Sequence, residues 1–90
     1  MDSSETTTPE ETPAPPQGEG TLQKRSMRIA GHRTSLALEH QFWAGLEKIA
    51  RARGASLPGL IASIDTERAA RAPDASLASA VRVFVLENRL

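Results

Sequence analysis

The sequence has 90 residues, no cysteine, and eleven Lys and Arg balanced by eleven Asp and Glu. A chain this short holds one small domain, whose core supplies only about 3–5 kcal/mol unless disulfides, a metal or a second subunit reinforce it. The lack of cysteine excludes disulfides and thiolate sites, and His32 and His40, eight positions apart without an acidic cluster, do not form a metal-ligand pattern. Oligomerisation is the remaining reinforcement, and no cofactor, metal or small-molecule substrate is expected. The longest apolar run, Val83 to Leu86, is far below the ~20 residues that span a bilayer. The N-terminus is acidic without an apolar stretch, which is not a secretory signal. The expected location is the cytoplasm, with no membrane contact.

Charge is unevenly distributed. Residues 1–22 carry Asp2, Glu5, Glu10, Glu11 and Glu19 and no base, along with Pro9, Pro13, Pro15 and Pro16. Such a stretch cannot bury enough surface to offset its ordering entropy, so a disordered acidic tail is expected there, with the folded domain in 23–90. Residues 23–53 carry Lys24, Arg25, Arg28, Arg33, Lys48, Arg51 and Arg53 against Glu39 and Glu47. A basic segment beside an acidic tail fits a polyanion partner, or equally a solvated face with a solubilising tail. No internal repeat is visible.

From Arg33 the pattern has a period of two: Thr34, Leu36 and Leu38 lie on one side and Arg33, Ser35 and Ala37 on the other. This predicts a short half-buried strand over about 32–38, with Met27 and Ile29 as a possible earlier piece and Gly31 as a bend or bulge. The following apolar segments are helical, so this strand has no partner in the chain. Its simplest partner is the same strand of a second copy, which predicts an obligate homodimer. Over about 40–53, Phe42, Leu46, Ile49 and Ala50 share a helical face with Trp43 beside them, and Gly54 stops the helix. Ser56 caps a second helix over about 57–70, striped by Leu57, Leu60, Ile61 and Ile64, with Pro58 in its first turn. Ala72-Pro73-Asp74 breaks the chain before a third helix over about 76–89. Leu77, Val81 and Phe84 favour a helix there over the strand that Val81, Val83 and Val85 would also allow.

The order strand, helix, Gly54-Ala55-Ser56 and Leu60-Ile61 resembles the ribbon-helix-helix proteins, bacterial dimeric regulators that include many repressors and antitoxins. Gly31-His32-Arg33-Thr34-Ser35, Leu38-Glu39, Phe42-Trp43, Leu46, Ile49-Ala50, Ser56-Leu57, Ile64-Asp65, Ser76-Leu77 and Arg82-Val83-Phe84-Val85-Leu86 resemble a little-characterised bacterial subgroup of that family. The resemblance covers most of residues 29–88. It implies a mainly α fold with one short β-strand: an intertwined homodimer with a two-stranded antiparallel intersubunit sheet, plus an extra C-terminal helix. It further implies that the ribbon enters the major groove of DNA. The base-facing positions would be Arg33, Ser35 and Ala37, and the backbone of Ala55, Ser56 and Leu57 would hold a phosphate at a helix N-terminus. Ala37 offers no hydrogen bond, and Pro58 removes an N–H from the clamp.

Lys24, Arg25 and Arg28, just before the strand, are placed to neutralise flanking phosphates. Leu36, Leu38, Phe42, Trp43, Leu46, Leu60, Ile61 and Ile64 are the expected dimer core. Arg33 fits a guanine edge or a solvated sheet face, and the uncovered side of a two-stranded ribbon favours the first. Asp65 fits either the partner of an arginine or a solvated position. No base and orienting acid accompany Ser35, so no enzyme is expected. The function expected is sequence-specific binding of double-stranded DNA, as a transcriptional regulator. The alternative is a dimeric protein-interaction module that has lost base readout.

Overall fold

A computed structural model describes residues 21–89; the tail expected over 1–22 lies almost wholly outside them. Strands β1 (Leu22–Ile29) and β2 (His32–Glu39) are followed by helices α1 (His40–Arg53), α2 (Leu57–Arg71) and α3 (Leu77–Glu87). The two-stranded antiparallel sheet and the three helices agree with the expected architecture. The pairing differs from it: β1 and β2 belong to the same chain and pair antiparallel from Leu22↔Glu39 to Ile29↔His32. The lone strand expected to need a second copy therefore has its partner in cis, and Leu22, counted in the expected tail, opens β1.

Ala30 and Gly31 join the strands with φ of 52° and 84°. Positive φ at both central residues is the two-residue turn whose twist matches that of the flanking strands, and glycine accommodates the second position. Gly31, expected as a bend or bulge, is thus the second residue of a hairpin turn. Strand β1 escapes a search for alternating apolar residues because two of its four inward positions are Gln23 and Arg25, with only Met27 and Ile29 apolar. Arg25 suits an inward position because its guanidinium lies 4.4 Å over the Trp43 ring and its Nη1 donates to Glu47 Oε2 at 2.8 Å. A flat cation over an indole with a carboxylate beside it shields apolar surface while staying partly wet.

Each helix has local start and stop signals. At the end of α1, Gly54 adopts φ 67°, with Gly54 N–H on Arg51 O and Ala55 N–H on Ala50 O at 2.9 Å, which satisfies the last carbonyls. Ser56 Oγ accepts from Gly59 N–H at 3.1 Å to start α2, and Ser76 Oγ accepts from Ser79 N–H at 3.0 Å to start α3. Arg68 fixes the connection between them: its Nε donates to Asp65 and its Nη1 to the carbonyls of Pro73 and Ala75. Asp65 is therefore paired within its own helix. The segment over 77–87 is helical throughout, with Val81 and Val85 buried and Val83 exposed.

The helices cover one face of the ribbon. Helix α2 touches β1, and α1 and α3 touch β2. Trp43, Leu38, Leu46, Ile61 and Val81, from β2 and all three helices, are fully buried at the centre, with Ile29, Leu36, Ile49, Ala50, Leu60, Ile64 and Val85 around them. Seven of the eight residues expected in a dimer core are thus buried within one chain. The eighth, Phe42, packs half-buried against the cluster, and Trp43 takes the deeper site. Trp43 Nε1–H donates to Gln23 O at 2.8 Å, so burying the indole leaves no unpaired donor.

Candidate nucleic-acid interface

With Leu36 and Leu38 held in the core, the pleat turns the alternate residues of β2 away from the helices. Arg33 and Ser35 are exposed there and Ala37 is half-buried. The register places three residues of β1 beside them on the same face: Lys24 opposite Ala37, Ser26 opposite Ser35, and Arg28 opposite Arg33. Lys24, Ser26 and Arg28 are all exposed. Ser26 Oγ and Ser35 Oγ lie 3.1 Å apart at the middle of the ribbon, and Arg28 Nη1 donates to Gly31 O at 3.1 Å.

Three cations thus lie on a face that no helix covers. Glu39, the carboxylate of matching parity at the far end of β2, is held by Arg82, whose Nε and Nη2 donate to its two oxygens at 2.9 and 3.2 Å. Those hydrogen bonds, with a further one from the backbone, hold the Glu39 carboxyl below its ordinary pKa. Its charge is therefore neutralised locally.

The phosphate-contacting set drawn from the sequence is divided by the structure. Lys24 and Arg28 lie on the open face. Arg25 points the other way, engaged by Trp43 and Glu47, because β1 is a strand and its residues alternate. At the N-terminus of α2, Ala55 N–H is committed to Ala50 O, Pro58 has no N–H, and Ser56 Oγ is occupied by Gly59. Ser56 and Leu57 remain as amides able to face a phosphate. Ser26 was missed by sequence reasoning, and Arg28 was assigned only to phosphate. The signal was present in a repeat with a base two positions before a serine and an apolar residue directly after it, Lys24-Arg25-Ser26-Met27 and Arg33-Thr34-Ser35-Leu36.

A two-stranded ribbon with an open cationic face, backed by a helix pair joined through a glycine-capped turn, defines a class of nucleic-acid-binding domain. The ribbon-helix-helix domain matches residues 22–88, and the chain belongs to that family. Proteins of the family generally bind DNA as transcriptional regulators, typically as dimers, and its domains are regulators rather than enzymes. No curated protein and no solved structure matches the chain. Among the described residues, no helix is long and apolar enough to cross a membrane, and no group of three or more His, Cys, Asp or Glu is placed to hold a metal ion.

Proposed function

We propose that the chain binds double-stranded DNA sequence-specifically, as a cytoplasmic transcriptional regulator, by inserting the open face of its ribbon into the major groove. The observation that carries this reading is the arrangement of Lys24, Arg28 and Arg33 around two paired serines, on a face without a free carboxylate among the described residues. The major groove is wide enough for a two-stranded ribbon, and arginine is the usual reader of guanine there. Lys24 and the Ser56 and Leu57 amides are suited to the phosphate backbone. The homodimer expected from the sequence rested on the small core and on the family resemblance as well as on an unpaired strand. That strand is paired in cis and no longer argues for a second copy, while dimers remain typical of the family.

A second reading, a protein-interaction module, draws on the groove of about 550 Å³ between α2 and α3, floored by Ile64, Ala80, Val83 and Phe84. Titration against random duplex DNA at rising salt separates the two. The DNA reading expects binding that weakens steeply with salt, with Lys24→Ala lowering affinity for all sequences and the salt slope by about one unit. Arg33→Ala should cost about 1–3 kcal/mol at a selected site and leave melting almost unchanged. Absence of binding at low salt, or an Arg28→Ala, Arg33→Ala double variant that binds like wild type, favours the interaction module.

A further inference from the structure

All eleven lysines and arginines lie beyond residue 21, whereas Asp2, Glu5, Glu10, Glu11 and Glu19 lie before it. The zero net charge of the chain is therefore that of a basic domain joined to an acidic segment without a base. Within the domain most of the counter-charge is already engaged. Glu39 is held by Arg82, Glu47 by Arg25, Asp65 by Arg68 and Glu67 by Arg71, while Asp74 lies between α2 and α3 and Glu87 ends α3. Among the described residues, no carboxylate pairs with Lys24, Arg28 or Arg33 on the open face of the ribbon. The same face ends in Leu22, which with Val83 and Leu86 is a large apolar side chain left exposed, and which lies opposite Glu39, two residues before Lys24. The acidic segment joins the domain at this corner.

We propose that residues 1–20 dock on the open face of the ribbon, where their carboxylates pair with Lys24, Arg28 and Arg33 and compete with duplex DNA for them. That the segment contests DNA rests on the DNA-binding reading above; that it seats on the ribbon does not. Charge complementarity favours this surface over the groove between α2 and α3, whose Arg53, Arg68 and Arg71 are accompanied by Glu67 and Glu87. Reach is sufficient. The level of Arg28 and Arg33 lies roughly 20 Å along the ribbon from Leu22 at the ordinary rise of a strand, and the chain from Glu11 to Leu22 extends to at most about 36–40 Å. Gly18 and Gly20, on either side of Glu19, permit the reversal that lays the segment back over β1 and β2. Pro13, Pro15 and Pro16 have no N–H to donate, so the segment covers the face through side chains rather than adding a strand at the edge. Each exposed ion pair contributes little alone, but a tethered segment acts at an effective concentration of order millimolar. Salt screens the pairs over the range in which it weakens phosphate contacts. Every copy of the chain carries both parts, so the relation does not depend on how many copies assemble.

The test compares the full chain with a variant of equal length, Asp2→Asn, Glu5→Gln, Glu10→Gln, Glu11→Gln and Glu19→Gln, each titrated with a random-sequence duplex. The neutralised chain should bind about 3- to 10-fold tighter at about 0.05 M salt, and the two affinities should converge at about 0.5 M. A second readout needs no DNA. The chain has no native cysteine, so Thr12→Cys accepts a single nitroxide label. At low salt the label should broaden the amide resonances of Ser26, Arg28, Arg33 and Ser35, and the broadening should fade with added salt and with neutralisation of the five carboxylates. Equal affinities at every salt, with duplex bound, overturn the proposal and leave the DNA-binding reading intact. Affinities that differ without broadening on the ribbon reduce the segment to long-range repulsion of DNA, and broadening centred on Ala80 and Val83 moves it to the helix groove; either result overturns the docking. Two chains that bind no duplex overturn the DNA-binding reading and the competition with it, while the nitroxide still decides where the segment seats.

Discussion

Ala30 is the one described residue other than glycine with positive φ. An L residue with a Cβ is strained there by roughly 1–2 kcal/mol, and asparagine tolerates the region better. Ala30→Asn should therefore raise the melting temperature by a few degrees, about 0.5–1 kcal/mol in a domain of this size. If residues 22–39 formed one extended strand the same change would lower it, since asparagine is a poor strand former. Glu39 carries a second prediction at this scale. Arg82 holds its carboxyl below the ordinary pKa in the folded chain, so its contribution is full above the unfolded value and is lost as pH falls through the lowered folded one. Wild type should melt above Glu39→Gln near neutral pH, and the gap should close on acidification below about pH 4. A gap that stays constant across that range would exclude the Arg82 pair as its source.

At the scale of elements, α3 is the addition to the helix pair, and Gly45 in α1 lets it seat closely. A Cβ on Gly45 would lie 2.7 Å from Val85 Cγ1, too close for either atom to keep its place. Gly45→Ala gains up to about 1 kcal/mol of helix propensity but overpacks a stiff β-branched side chain, for a net loss of about 1–2 kcal/mol. Denaturant melts of Gly45→Ala with and without Val85→Ala check this: the second change should recover part of the loss. A Gly45→Ala chain at least as stable as wild type would mean that α3 sits elsewhere. The helices were readable from sequence to within a residue or two because each carries a regular stripe and its own cap, Ser56, Ser76 or Gly54. Strand β1 was not, since the apolar surface its inner face covers belongs to Trp43 and the group covering it is the charged Arg25. The outward set of β2 could be read from alternation alone. Its counterpart in β1 is marked in the sequence only by the short repeat shared by Lys24 to Met27 and Arg33 to Leu36, and the register is what sets Ser26 and Arg28 opposite their partners.

For the molecule as a whole, the consequence is a core whose central side chains are buried within one chain. Trp43, Leu46, Ile61 and Val81 have no exposure in one chain, and each fully buried large side chain contributes about 1.5–3 kcal/mol relative to exposure. The melting temperature should therefore not move when protein concentration is raised about a hundredfold, whereas an intertwined dimer would gain stability by mass action. A rising midpoint, accompanied by dimer mass in sedimentation, would return the second copy to the core. The two-residue turn also bears on how the chain reaches this state. Because β1 and β2 meet across Ala30 and Gly31, the ribbon is made of near neighbours in sequence, and such hairpins close in about 1–10 µs, before any encounter between molecules. Refolding from denaturant should be a first-order process whose rate is the same in dilute and concentrated solution, with the ribbon available as an early template for the helices.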